Sequence, residues 1–238
     1  MTVPMPTQVF AFFFLLFSAL CCSTASAFAA DSVEYPEDIA ARLQARYDAM
    51  HSLSFSFFQD IQGEMSGRAR QGSGRAIFVK KDGQARMRWD YSAPEEQVLI
   101  SDGETLSMYF AHLKQQIISP AAALDNDLTY AVFTGKGMIK RDFHIRPADE
   151  DEQSTNENEY KVIKIIPKTQ QSQVQDIHLY VTGASLIRRI KLRDHFGTIT
   201  VLNLSDLEVD GVEKGRSAAE VEALFTFSPP PGTEIIRQ

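Results

Sequence analysis

The chain is expected to be a mainly β protein of the α+β class, and three observations lead there. Over most of the length, short apolar segments alternate with polar residues at a period of two. Turns such as Lys81-Asp82-Gly83 and Ser101-Asp102-Gly103 punctuate them and are hairpin signals. Helical spacing is confined to two stretches, Tyr35 to His51 and Pro120 to Gly135. Short antiparallel strands at regular spacing predict a sandwich, a barrel or a strongly curved sheet, with two helical pieces to cover an open side.

The amino-terminal segment stands apart from that pattern. The first thirty residues hold no Asp, Glu, Lys or Arg, Val9 to Cys22 is an apolar run, and Ala25-Ser26-Ala27 and Ala27-Phe28-Ala29 each fit a cleavage site. The run is about 14 residues, short of the roughly 20 that a spanning helix needs. These features predict a signal peptide over residues 1–29 and one folded domain over residues 30–238. Cys21 and Cys22 fall inside the removed segment, so the mature chain has no thiol for a disulfide, a metal or a nucleophile.

The elements follow in order. Ile39, Leu43, Tyr47 and Met50 recur at three and four residues, and Pro36 suits the first turn of a helix. Leu53, Phe55 and Phe57 then alternate with Ser54 and Ser56, which predicts a strand with one strongly apolar face. Further strands are expected at Gly74 to Lys80, Ala85 to Tyr91, Gln97 to Ser101, Thr105 to Phe110 and Gln115 to Ser119. In Pro120 to Gly135, Leu124, Leu128, Val132 and Phe133 predict one or two short helices. The last strands are Tyr160 to Pro167, Gln175 to Thr182, Leu186 to Arg193, Thr198 to Asp206 and Ala223 to Phe227, about eleven in all.

Charge and motif content exclude several functions. Of the net charge of −7, six negatives fall within the eleven residues Asp149 to Glu159, which reads as a solvated loop and argues against a nucleic-acid partner. The five histidines are scattered, with no pair at metal-ligand spacing. Gly63-Glu64-Met65-Ser66-Gly67 misplaces the serine for a nucleophile elbow, and Gly135-Lys136-Gly137 lacks the third glycine of a dinucleotide loop. No enzymatic activity and no cofactor are expected.

One stretch is more informative, Gly74 to Tyr109, in which Arg88-Trp89-Asp90-Tyr91, Pro94 and Ser101-Asp102-Gly103 occur in that order. Phe133-Thr134-Gly135-Lys136-Gly137 with Arg141-Asp142-Phe143 follows, then Ala223-Leu224-Phe225-Thr226-Phe227 before Pro229-Pro230-Pro231-Gly232. The order and content resemble the LolA family of periplasmic outer-membrane lipoprotein carriers over nearly the whole mature chain. The resemblance implies an incomplete antiparallel β-barrel, a strongly curved sheet of about eleven strands closed by a helical lid. It implies a periplasmic, monomeric carrier that takes lipoprotein acyl chains from an inner-membrane lipoprotein-releasing ABC transporter towards an outer-membrane acceptor of the LolB type. A periplasmic lipid or lipoprotein sensor on a related half-barrel is the alternative.

Alternation places Met87, Trp89 and Tyr91 on one strand face, and the resemblance implies that this face lines the cavity. It extends the acyl-binding set to Leu43, Phe55, Phe57, Leu99 and Met108 and assigns Leu124, Leu128 and Phe133 to the lid. Many relatives have an Arg-Pro pair whose arginine holds the lid closed. Here Lys80-Lys81-Asp82-Gly83 stands in that place, so Lys81 is the nearest equivalent and Arg86 the other basic residue within reach. Lysine lacks the planar five-donor fork of arginine, and a solvated hairpin lysine accounts for Lys81 equally well.

Overall fold

Pro36 opens the first helix, α1 (Pro36–Ala49), with Glu37 and Asp38 in the first turn, where the helix dipole favours negative charge. Its apolar stripe, Ile39, Leu43 and Tyr47, is buried. The computed structural model describes residues 34–63, 69–81, 83–124, 133, 137–153, 159–169 and 173–238. The expected signal peptide, Leu128, Val132 and most of the mid-chain helical insert lie outside the described residues.

Twelve strands are present among the described residues: β1 (Ser52–Gln62), β2 (Arg70–Lys81), β3 (Gln84–Ala93), β4 (Gln97–Ser101), β5 (Thr105–Phe110), β6 (Gln115–Pro120), β7 (Phe143–Pro147), β8 (Lys161–Pro167), β9 (Val174–Val181), β10 (Ile187–Asp194), β11 (Ile199–Val209) and β12 (Glu234–Arg237). They form one sheet in the order β12-β6-β5-β4-β3-β2-β1-β11-β10-β9-β8-β7. Every pairing is antiparallel except that of β12 with β6. The sheet does not close, because β12 and β7 remain at its edges.

The main core covers one face of this sheet. It joins Leu43 and Tyr47 of α1 to Leu53, Phe55 and Phe57 of β1, Phe78 of β2 and the apolar face of β8 to β11. Small residues on β2 let large ones meet across it. Ala76 lies in register between Phe55 and Trp89, whose rings meet at 5.7 Å. Gly74 lies between Phe57 and Tyr91, whose rings meet at 4.8 Å. A Cβ on Gly74 would fall 1.9 Å from the Asp90 carbonyl oxygen, so glycine is required there.

Three sequence expectations need correction. Ala223 to Phe227 is not a strand. A helix, which we call α4 (Ala218–Ala223), ends there after a Ser217–Glu220 capping box, and Phe225 packs on Val79, Val98, Ile100 and Tyr109. The strands beneath are interior ones, already hydrogen-bonded on both edges, so the segment is held by side chains and by the Arg88 guanidinium donating to the Leu224 carbonyl at 2.9 Å. Strands β7 and β12 were not expected. Both are short edge strands, where Pro147 is tolerated because an edge leaves one side of the ladder unpaired.

The third correction concerns the acidic segment, which is anchored rather than freely solvated at its start. It forms the single turn α3 (Glu150–Gln153), preceded in chain order by the turn α2 (Ile139–Asp142). Glu152 is only 6 % exposed and accepts from the Tyr180 hydroxyl and the Lys191 ammonium. Asp149 pairs with Lys164 at 2.8 Å and lies 3.2 Å from Nε2 of the buried His178. These partners stand on the face of β8, β9 and β10 away from the main core, which is how a charge run becomes part of the fold.

His178 makes this cluster sensitive to pH. Burial pushes its imidazole below the ordinary value of 6.5, against the opposing pull of Asp149, Glu152 and Asp176. A base whose folded value lies below its unfolded one contributes stability that is complete above 6.5 and is lost as pH falls through the folded value. The denaturant midpoint is therefore expected to drop on acidification through that window, and to drop less in His178→Asn. Equal slopes in parent and variant would show that another group titrates.

Candidate functional site

The face of β3 that carries Met87, Trp89 and Tyr91 lines a cavity of about 190 Å³. Leu99 of β4 and Leu124 complete the near side, and Ile190 and Leu192 of β10 with Thr200 and Leu202 of β11 form the far side. Four inter-strand steps separate β3 from β10, a span of about 19 Å in a flat sheet at 4.8 Å per strand. Residues so far apart can share one small cavity only if the sheet curls strongly. Curvature thus makes the site.

The cavity has a floor and a rim. Met87, Trp89, Leu124, Ile190 and Leu202 are buried, whereas Gln59, Tyr91, Leu99, Leu192 and Thr200 are partly exposed. The exposed set lies towards the end of the sheet where β3 and β10 finish and β4 and β11 begin, so the cavity opens there. No lining side chain among the described residues is charged. An apolar guest would therefore displace water without stranding an ion.

Aromatic rings support the floor. Trp89, 8 % exposed, meets Phe57 at 4.8 Å, Phe55 at 5.7 Å and Phe78 at 6.0 Å. Phe133, from the mid-chain insert, is 2 % exposed and packs on Phe55 at 5.0 Å, Phe78 at 5.2 Å and Trp89 at 6.4 Å. It anchors the insert in the core together with Leu124. The adjoining 3-10 turn, Ala121–Leu124, sends Leu124 to the cavity wall.

Of the expected acyl-binding set, Met87, Trp89, Tyr91 and Leu99 line the cavity. Leu43, Phe55 and Phe57 belong to the packed core around it, and Met108 packs against that core beside its register partner Leu99. Lys81 and Arg86 have a partner other than the insert. Both pair with Glu222 of α4, Lys81 at 3.1 Å. Arg86 alternates with Ala85 and Met87 on β3, and so points away from the cavity side. The pair clamps the carboxyl-terminal segment onto the outer face, and Lys81 is no free hairpin lysine. Gln59, Ile190, Leu192, Thr200 and Leu202 were not expected at the site. Alternation on their strands marks a face, and nothing local says which distant strand that face will meet.

The family model described as outer membrane lipoprotein carrier protein LolA matches residues 48–215. The outer-membrane lipoprotein carrier protein of Nitrosomonas europaea is 27% identical over 168 residues, which cover 71% of this chain and 74% of that protein. Its counterpart in Nitrosospira multiformis is 26% identical over 196 residues, covering 82% and 87%. Among solved structures, a LolA superfamily protein from Nitrosomonas europaea aligns with a TM-score of 0.41 at 15% identity, covering 82% of this chain and 98% of that one.

Proposed function

This chain belongs to the LolA family of outer membrane lipoprotein carrier proteins, and from that premise we propose that it binds lipoprotein acyl chains in the cavity beside Trp89 and shuttles them from the inner to the outer membrane. The observation that carries this reading is the uncharged cavity between Met87, Trp89 and Leu99 on one side and Ile190 and Leu202 on the other. Residues 1–29 serve as the export signal, and residues 30–238 act in the periplasm. No helix among the described residues is long and apolar enough to cross a membrane. The partners in this reading are a lipoprotein-releasing ABC transporter in the inner membrane and an acceptor of the LolB type in the outer membrane. The chain is a monomeric binding protein rather than an enzyme and works without a cofactor.

Size indicates how loading proceeds. At about 190 Å³ the cavity is somewhat larger than an apolar cavity of about 150 Å³ that holds one benzene. It takes the end of one chain as it stands, and a whole long chain needs more room. Leu124, Leu128 and Phe133 form the lid in this reading, and Phe133 leaves its place among Phe55, Phe78 and Trp89 as the chain enters. Each methylene transferred is worth about 0.8 kcal/mol. Displacing the buried Phe133 offsets part of that gain, which keeps the cargo releasable.

Trp89 tests the reading directly, because it is the only tryptophan in the sequence. Titration with a synthetic lipopeptide is expected to change its emission saturably, at a stoichiometry of one ligand per chain. Emission that stays constant, or drifts without saturation, would remove Trp89 and its cavity as the binding site. Trp89→Leu is expected to lower stability by less than the roughly 3 to 5 kcal/mol of an aromatic truncated to alanine, and to weaken cargo binding disproportionately.

A further inference from the structure

The rim of the cavity departs from the apolar pattern of its strands. On β1 the core face reads Leu53, Phe55, Phe57 and then Gln59, and on β11 it reads Leu204, Leu202 and then Thr200. Both changes fall where the cavity opens. The Tyr91 hydroxyl reaches over β2 to donate to the Gln59 side-chain oxygen at 3.2 Å. The ring crosses above Gly72, the register partner of Gln59 on β2, where a Cβ would make a tight contact of 3.3 Å with it. With its oxygen engaged, the Gln59 amide keeps its N–H donors at the rim, where they have no hydrogen-bond partner among the described residues.

Resting on the carrier reading above, we propose that Gln59, Tyr91 and Thr200 form a hydrogen-bonding collar that recognises the carbonyl at the head of an acyl chain. The floor takes the hydrocarbon, and the amide N–H of Gln59, held in place by the bond from Tyr91 and with the Thr200 hydroxyl beside it, meets the ester or amide oxygen at the mouth. An acyl carbonyl drawn into an apolar opening without a partner is penalised, so the collar sets how deep a chain seats and favours acyl over alkyl linkage. One net hydrogen bond corresponds to about three- to tenfold in affinity. The same chemistry occurs in the acylated end of a lipoprotein and in a phospholipid.

Calorimetric titration of the full mature chain separates the possibilities. The probes are monooctanoylglycerol and its octyl ether analogue, which differ only in the carbonyl. The parent is expected to bind the ester about three- to tenfold more tightly, and Gln59→Leu and Tyr91→Phe to bring the ratio close to one while retaining the ether. Thr200→Val, which keeps shape, provides the same comparison should either of the others fail to fold. Equal binding of ester and ether by the parent would overturn the collar and leave the carrier reading standing. Failure of both probes and of a diacyl lipopeptide would instead overturn the carrier reading, and the collar with it. A preference that survives in the folded variants would also overturn the collar. Dihexanoyl phosphatidylglycerol and a diacyl lipopeptide, titrated in parallel, identify the source: whichever loses affinity in Tyr91→Phe carries the carbonyl that the collar reads, and loss by neither refutes it.

Discussion

Phe133→Ala is expected to destabilise the unloaded protein by about 3 kcal/mol or more while tightening its hold on acyl ligands. Phe133 is almost completely buried among Tyr47, Phe55, Phe78 and Trp89. Truncating such a ring typically costs about 3 to 5 kcal/mol, because the surroundings collapse only partly onto the void. Here the void would adjoin the existing cavity beside Trp89. In the proposed mechanism the ring competes with the guest for this space, so its loss weakens the unloaded state and leaves the loaded state nearly unchanged. Affinity should rise by about tenfold or more, in line with the stability difference between the two states. Transfer to an acceptor should slow for the same reason. Denaturant unfolding with and without lipopeptide measures both effects. A variant that loses stability and affinity in parallel would make Phe133 an ordinary core residue.

The second large effect is expected at Glu152, whose removal tests the anchored start of the acidic segment. Glu152→Ala would leave the Lys191 ammonium without its carboxylate and the Tyr180 hydroxyl without its acceptor. Removing one member of a buried pair costs about 3 to 5 kcal/mol. Lys191 retains some exposure, which places the expected loss near the lower end, at about 3 kcal/mol. Glu152→Gln keeps the shape and an acceptor for Tyr180, and should lose only about 1 to 2 kcal/mol. Acid adds a second readout. Burial pushes the Glu152 carboxyl up, but the hydrogen bonds from Lys191 and Tyr180, together with the positive charge of Lys191, hold the group below its ordinary value of 4.5. Its contribution is therefore complete above 4.5 and is lost as pH falls through the lower folded value. Glu152→Ala should unfold with a shallower dependence on pH in that range. If thermal melts of parent and variant coincide, the turn α3 is peripheral after all.

Much of this protein follows from local patterning. The spacing of Ile39, Leu43 and Tyr47 behind Pro36 determined α1, and the alternation of Phe55 and Phe57, and of Met87, Trp89 and Tyr91, determined two strand faces that the structure turns inward. The turn at Ser101-Asp102-Gly103 was equally legible, because Asp102 accepts from the backbone of Glu104 and Thr105 within the same few residues. The ordered motifs around Trp89 also sufficed to place the chain in its family. Long-range partners were beyond such reading. That Ile190, Leu192, Thr200 and Leu202 meet Trp89 depends on twist accumulated over several strands, and no single strand encodes its neighbour's distance or the sheet's curvature. An alternating segment at Ala223 to Phe227 did not become a strand, because the strands it packs on are interior ones already paired on both sides. Glu152 looked like one more solvated acid in a charge run, and only the arrival of Tyr180 and Lys191 from β9 and β10 made its burial favourable. Periodicity determines which side of an element is apolar; tertiary structure decides what that side meets, because burial and pairing are settled between residues far apart in the chain.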